Sequence, residues 1–263
     1  MDKYLFYFKT TKTNNIKKLF EVLKEIVQRD FTLVIDTDAI RMNKKDDDTL
    51  NVISMKLESS EFEKYYCPEK VKVMLYSKDV YIITKTILNT DIVSFYILKD
   101  DPYLLKISNS DKSDEIRSIS SVTRLDCENQ LEMKIGDVLG YNTTKILCSK
   151  FNKICKDFNN LSSDHIIITD LPDSIMFSCK TEDFTQQVTI KQENSSGVKK
   201  SNTTSISGKY KLKPIIPFIK GVNLTDNDNN IIKLHITDNG LLVVEYSIGC
   251  LGTIKLITVS YPK

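Results

Sequence analysis

The stretch "LLVVEYSIGCLGTIKLITVSYPK", Leu241–Lys263, reads as two β-strands. "LLVVEYSI" and "TIKLITV" are rich in β-branched residues, and a glycine-bearing segment, "GCLG", separates them. An acidic residue, Glu245, sits in the middle of the first run, where an apolar side chain would be the default.

Moving outward, most of the chain follows the same pattern. "FTLVIDTDAIRM", "TLNVISMKLES", "DIVSFYIL", "YLLKIS", "HIIITDL", "SIMFSCK", "QVTIK" and "IIKLHITD" carry alternating or β-branched apolar residues. Four segments have helical spacing instead. In "NIKKLFEVLKEIVQ", Ile16, Leu19, Phe20, Leu23, Ile26 and Val27 form one apolar stripe, with Lys17, Lys18 and Lys24 off it. "SKDVYIITKTIL" has Ser77 as its expected N-cap and carries Lys78 and Lys85. "SKFNKICKDF" turns Phe151, Ile154, Cys155 and Phe158 one way and Lys150, Lys153 and Lys156 the other. "KYKLKPIIPFIKGV" contains Pro214 and Pro217, so the expected helix starts late, is short, or kinks.

The order strand, helix, strands, helix, strands occurs once before about residue 118 and again after about 135, which points to two copies of one α+β unit. The expected domains are 1–118 and 135–263, with 119–134 an ordered connector, since "SVTRLDCENQLEMK" lacks Gly and Pro. "KQENSSGVKKSNTTSISG" is the most loop-like stretch.

Several function classes drop out. The chain has 263 residues, of which 41% are hydrophobic and 27% charged, as in an ordinary globular protein. No run approaches the ~18 apolar residues of a membrane span, and no secretion signal is recognisable. The six cysteines, Cys250 among them, form no CxxC pair and only His165 and His235 could assist them, so buried free thiols are expected rather than a zinc site, and no other metal or cofactor is expected. Walker, GxGxxG, HExxH and GxSxG motifs are missing. "DTD" at Asp36 and "DDD" at Asp46 are the remaining acidic clusters, and a metal-dependent nuclease built on them is the remote alternative to a non-enzyme.

Charge is more informative. The formal net charge is only +2. The four helical segments, taken as residues 16–27, 77–88, 150–158 and 209–220, carry +1, +1, +2 and +4, so the remainder is at −6. Lysines concentrated on one class of element suit contact with phosphates without base reading. Solvation of the outer faces of amphipathic helices explains the same lysines.

The whole chain resembles the proliferating cell nuclear antigen family of sliding clamps. The residues that carry the resemblance are Val243-Val244-Glu245-Tyr246, Ile248, Gly252, Lys255 and Pro262-Lys263 in the closing stretch. "FNKICKDFNNLSSDHIIIT", "IKKLFEVLKEIV" and "SSEFEKYYC" add to it. Departures are Leu241 in place of the family's proline, about two extra residues before Pro262, and a connector that matches only loosely.

The resemblance implies an α+β DNA-clamp fold, with two similar domains each bearing two helices on antiparallel sheets. Three subunits would close head-to-tail by pairing edges near Arg117–Thr123 and Phe184–Ile190. Lys17, Lys18, Lys24, Lys85, Lys153, Lys156, Lys213 and Lys220 would face duplex DNA in a lumen holding about +24 in three copies. Leu50, Val52, Leu125, Leu131, Leu241, Ile257 and Pro262 would lie near a pocket for short helical motifs of polymerases, ligases or nucleases. A clamp loader is a further expected partner, and the site of action would be the nucleus or a viral replication factory. A monomeric or heteromeric processivity factor is the alternative assembly.

Overall fold

The computed structural model describes residues 1–27, 29–45, 51–113, 115–125, 142–191, 205–225 and 230–261. The chain divides into two compact units. The first comprises Met1–Lys44, Ser54–Lys134 and Ser247–Ile254; the second comprises Lys45–Ile53, Ile135–Tyr246 and Lys255–Lys263.

In chain order the elements of the first half are β1 (Tyr4–Thr10), α1 (Thr13–Ile26), β2 (Asp30–Ile35), β3 (Ala39–Lys45), β4 (Val52–Glu58), β5 (Lys64–Tyr66), β6 (Val71–Tyr76), α2 (Ser77–Thr86), β7 (Ile92–Leu98), β8 (Asp101–Ser110) and β9 (Ile116–Thr123). Those of the second half are β10 (Asn142–Leu147), α3 (Cys148–Asn160), β11 (His165–Asp170), β12 (Ser174–Lys180), β13 (Thr185–Lys191), β14 (Ile206–Lys211), α4 (Leu212–Phe218), β15 (Ile231–Ile236), β16 (Leu241–Ile248) and β17 (Gly252–Val259). A 3₁₀ stretch, Ile219–Leu224, continues α4. Each half thus runs strand, helix, strands, helix, three strands, the internal repeat expected from the sequence pattern.

In the first unit one sheet has the order β5-β1-β7-β8-β9, and the other ladder runs β4-β3-β2-β6. In the second, β13-β12-β11-β14 form a four-stranded sheet and β10-β15-β16-β17 a further ladder. The registered pairs are antiparallel.

Of the amphipathic stripe read on α1, Ile16, Leu19, Phe20 and Leu23 face the core and Val27 is buried just past the helix end, while Ile26 is half-buried and Val22, off the stripe, joins the core. There Phe20 meets Phe95 at 5.7 Å and Phe31 at 6.3 Å, and Phe8 bridges Phe62 and Phe95 at 4.5 and 4.9 Å. The second core is built around Phe151, Phe177, Phe218 and the fully buried Tyr246, with Tyr246 against Phe218 at 5.4 Å. Tyr246 occupies the space left by the missing side chain of Gly221, whose Cβ would lie 2.6 Å from the ring. Gly221→Val is therefore expected to cost about 1–3 kcal/mol through overpacking, read as a fall in the urea midpoint at unchanged m.

Four local readings need correction. "FTLVIDTDAIRM" is two strands, β2 and β3, because Asp36 accepts hydrogen bonds from the main-chain N–H groups of Asp38 and Ala39 and closes a turn. Ser77 is the first helical residue of α2 rather than its cap, since its hydroxyl donates to the carbonyls of Val27 and Arg29 instead. Lys209, Tyr210 and Lys211 belong to β14, where Tyr210 points into the core, so the fourth helix starts only at Leu212. It then stays at seven residues, as Pro214 and Pro217 led one to expect. Finally, Cys250 is exposed, while Cys67, Cys148, Cys155 and Cys179 are buried free thiols.

Candidate nucleic-acid interface

The eight lysines expected to meet DNA all lie in helical segments. Lys17, Lys18 and Lys24 are on α1 and Lys85 is on α2, helices that pack together. Lys153 and Lys156 are on α3 and Lys213 is on α4, which also pack together; Lys220 sits in the following 3₁₀ stretch.

Their surroundings differ. Lys17 donates to the carbonyl of Ile87, just past the C-terminus of α2, where a cation offsets the helix's exposed carbonyls. Part of its charge is thus structural. Lys24 lies 3.5 Å from Glu25 and 4.7 Å from the centre of the Tyr81 ring. Lys85 approaches the same ring to 5.8 Å. Tyr81 therefore meets ammonium groups from two helices, a cation–π arrangement. Sequence reasoning passed Tyr81 over, although its place four residues before Lys85 on α2 is a signal for a shared helix face.

On the second unit Lys150, Lys153 and Lys156 are all exposed along α3, and Lys213 and Lys220 are exposed as well. Repelling ammonium groups three residues apart weaken a helix by a few tenths of a kcal/mol per pair. That repulsion disappears when anions bind. Lys153→Ala with Lys156→Ala is accordingly expected to raise the stability of the free protein by about 0.5 kcal/mol; a thermal melt checks it.

Moving Lys209 and Lys211 to a strand changes the charge balance. The helical segments carry +1, +1, +2 and +2, six in all, and the rest of the chain carries −4. The concentration of charge survives in smaller measure.

The acidic residue of the closing stretch has a structural role. Glu245 on β16 is buried and accepts hydrogen bonds from Lys233 at 2.8 Å and Lys255 at 3.1 Å, with His235 at 3.9 Å. Burial alone would raise its pKa, but the two ammonium groups hold the carboxyl below its usual 4.5. Burial holds His235 below 6.5. On acidification the unfolded chain takes up both protons first, so stability falls with pH. The His235 contribution is complete above 6.5 and declines as pH falls below that value. The Glu245 contribution is complete above 4.5 and is lost as pH drops through the lower folded value. Urea midpoints should fall from neutral pH downward, and Glu245→Gln should flatten the acidic part of the curve.

Of the apolar residues expected around a peptide pocket, Leu50, Leu131 and Pro262 lie outside the described residues. Leu125 bridges Met74 through the main chain in the first unit. Val52, Leu241 and Ile257 belong to the second unit, half-buried in the first two cases and 9% exposed in the third. "DDD" at Asp46 also falls outside the described residues. In "DTD", the Asp36 carboxylate pairs with Arg41 and closes its own turn, so its oxygens serve the fold.

Two family models cover the chain almost end to end: the N-terminal domain of proliferating cell nuclear antigen matches residues 5–132 and the C-terminal domain matches 135–260. The chain belongs to this family of DNA polymerase sliding clamps. It is 26% identical over 263 residues to the probable DNA polymerase sliding clamp 1 of Paramecium bursaria Chlorella virus 1, covering 97% of each chain. It is 24% identical over 245 residues to proliferating cell nuclear antigen 2 of Drosophila melanogaster, covering 91% of each. A DNA polymerase sliding clamp of Cenarchaeum symbiosum (strain A) is 21% identical over 249 residues, with 95% of each covered. The antiparallel sheets and four helices are those of the α+β clamp fold.

Proposed function

We propose that this clamp chain acts as a processivity factor that encircles duplex DNA as a homotrimer and tethers replication proteins to it. The observation that carries the reading is a pair of sheet edges, one in each unit, each with exposed apolar side chains on it or beside it. β9 ends the five-stranded sheet and exposes Ile116 and Ile119 (59% and 55%). β13 ends the four-stranded sheet, with the 57%-exposed Phe184 immediately before it. Exposed edges with apolar side chains invite pairing. An edge of one kind meeting the other kind on the next subunit is a heterologous contact, which closes when its rotation divides the circle.

Arg117 is held for that role. Its guanidinium donates to the buried carboxylate of Asp91 at 2.8 Å, and Asn109 binds the same carboxylate at 2.6 Å. This fixes the outer strand before any partner arrives.

With three chains closed, the helical lysines would supply about +18 to a lumen rather than +24, weak point-charge contacts that permit sliding. The clamp itself would perform no chemistry. It would raise the local concentration of polymerase, ligase or nuclease motifs docked near Val52, Leu241 and Ile257. A clamp loader would open the ring, and the nucleus or a viral replication factory would be its place of work.

Absolute mass by light scattering tests the assembly. The chain is 30.2 kDa. A species of about three times that mass, stable on dilution, is expected for a closed interface. A monomer at every concentration would remove the self-sufficient ring and favour a monomeric or heteromeric factor.

A further inference from the structure

One face of the five-stranded sheet carries an aromatic row that the clamp function does not use. β1 alternates so that Phe6, Phe8 and Thr10 are buried while Tyr7 and Lys9 point the other way. On that outward face the register sets Tyr66 of β5 opposite Tyr7 of β1, Tyr7 opposite Tyr96 of β7, and Tyr96 opposite Lys106 of β8. Tyr4 joins the group, 5.0 Å from Tyr7 and 5.7 Å from Tyr96, and Tyr7 lies 6.3 Å from Tyr96. None of these four rings is fully buried.

Lysines frame the row. Lys3 stands over Tyr4 at 5.2 Å. In the neighbouring register Lys9 is directly opposite Lys64, and Lys9 is opposite Ser94. Lys9 and Lys64 thus put basic side chains at neighbouring positions beside the tyrosines. The carboxylate of Asp101, at the edge of the row, is taken up by Lys106 at 3.2 Å.

We propose that this face binds single-stranded nucleic acid, with bases stacked on Tyr7, Tyr66 and Tyr96 and phosphates held by Lys9 and Lys64. Neighbouring strands stand about 4.8 Å apart, so the row offers adjacent ring surfaces across three strands. Every base has a π-face, and stacking on aromatics between basic flanks is sequence-tolerant. The charge complement selects a polyanion over an apolar peptide. The site depends on one unit alone and does not rest on ring closure. A protein that handles duplex DNA through its helices would thus gain a separate hold on the unpaired strand near a primer end.

The test is fluorescence anisotropy of a short labelled oligothymidylate at low salt. The wild-type chain binds it; Tyr7→Ala with Tyr96→Ala weakens binding about ten- to a hundredfold. Tyr7→Phe with Tyr96→Phe keeps the rings and keeps binding. Lys9→Glu with Lys64→Glu leaves the row in place and also weakens binding, which covers the case in which the alanine variant fails to fold. Duplex binding is unchanged in the tyrosine variants. Absence of oligothymidylate binding by the wild-type protein overturns the proposal. So does unchanged affinity in folded alanine and glutamate variants, and if those variants weaken capture of a polymerase instead, the face belongs to protein.

Discussion

Gly252→Ala is expected to be among the most damaging single substitutions in the chain. Gly252 opens β17, and a Cβ placed on it would stand 2.0 Å from the carbonyl oxygen of Lys56 and 2.9 Å from Cα of Leu57. Both atoms belong to the main chain of β4, so no side chain can swing away to make room. The strands must separate or the turn before β17 must rebuild. That turn is held by the N–H of Leu251 donating to the carbonyl of Ile248, and by the N–H of Glu58 donating to the carbonyl of Leu251. Overpacking against fixed backbone costs about 3 kcal/mol, or a fall of about 6–12 °C in Tm for a chain of this size. The contrasting case is Gly240, whose nearest neighbour is the hydroxyl of Ser260, the movable end of a side chain. There the space can be made, and the cost comes from its φ of +82° alone, about 1 kcal/mol. Equal, small effects of Gly252→Ala and Gly240→Ala in urea denaturation would show that β4 and β17 are not closely apposed.

The second large effect concerns DNA. Replacing Lys18, Lys24, Lys85, Lys153, Lys156, Lys213 and Lys220 with Ala removes the concentrated charge and leaves Lys17 to cap α2. Each phosphate contact adds about 0.9 to the slope of log affinity against log salt on duplex DNA. The wild-type chain should bind non-specifically with a steep slope, and the variant should bind much more weakly with a slope near zero. Base sequence should matter to neither. A slope unchanged by the substitutions would place the DNA contacts elsewhere and return these lysines to simple solvation of helix faces. Tyr81→Ala adds a finer test: it releases Lys24 and Lys85 from the ring they share, so it should alter affinity mildly while leaving the slope alone.

What the sequence disclosed follows the range of the interactions involved. The stripes of α1 and α3 were legible because Ile16, Leu19, Phe20 and Leu23, or Phe151, Ile154 and Phe158, recur at helical spacing and are all buried. The strand β14 was not, because "KYK" runs straight into "LKPIIPF" and two prolines drew attention to the helix. Only the core around Tyr210 decides that this residue alternates rather than winds. Glu245 posed a question that local pattern could not answer. Its two ammonium partners come from β15 and β17, and register alone brings Lys233 opposite it. The basic residues of the candidate interface were found because lysines on helices stand out in composition. Tyr81 was missed because its role depends on a lysine from another helix. The tyrosine row was invisible for the same reason: Tyr7, Tyr66 and Tyr96 are far apart in sequence and become neighbours only through strand order.

Encirclement itself can be tested without a loader, because a closed ring can reach the middle of a linear duplex only over an end. Binding to a linear duplex with open ends is compared with binding to the same duplex whose ends were blocked by bulky protein caps beforehand. A ring predicts binding to the open duplex, little or none to the pre-blocked one, and trapping of bound protein when the caps are added afterwards. Equal binding to open and pre-blocked duplexes would contradict encirclement and leave a chain that holds DNA from the side.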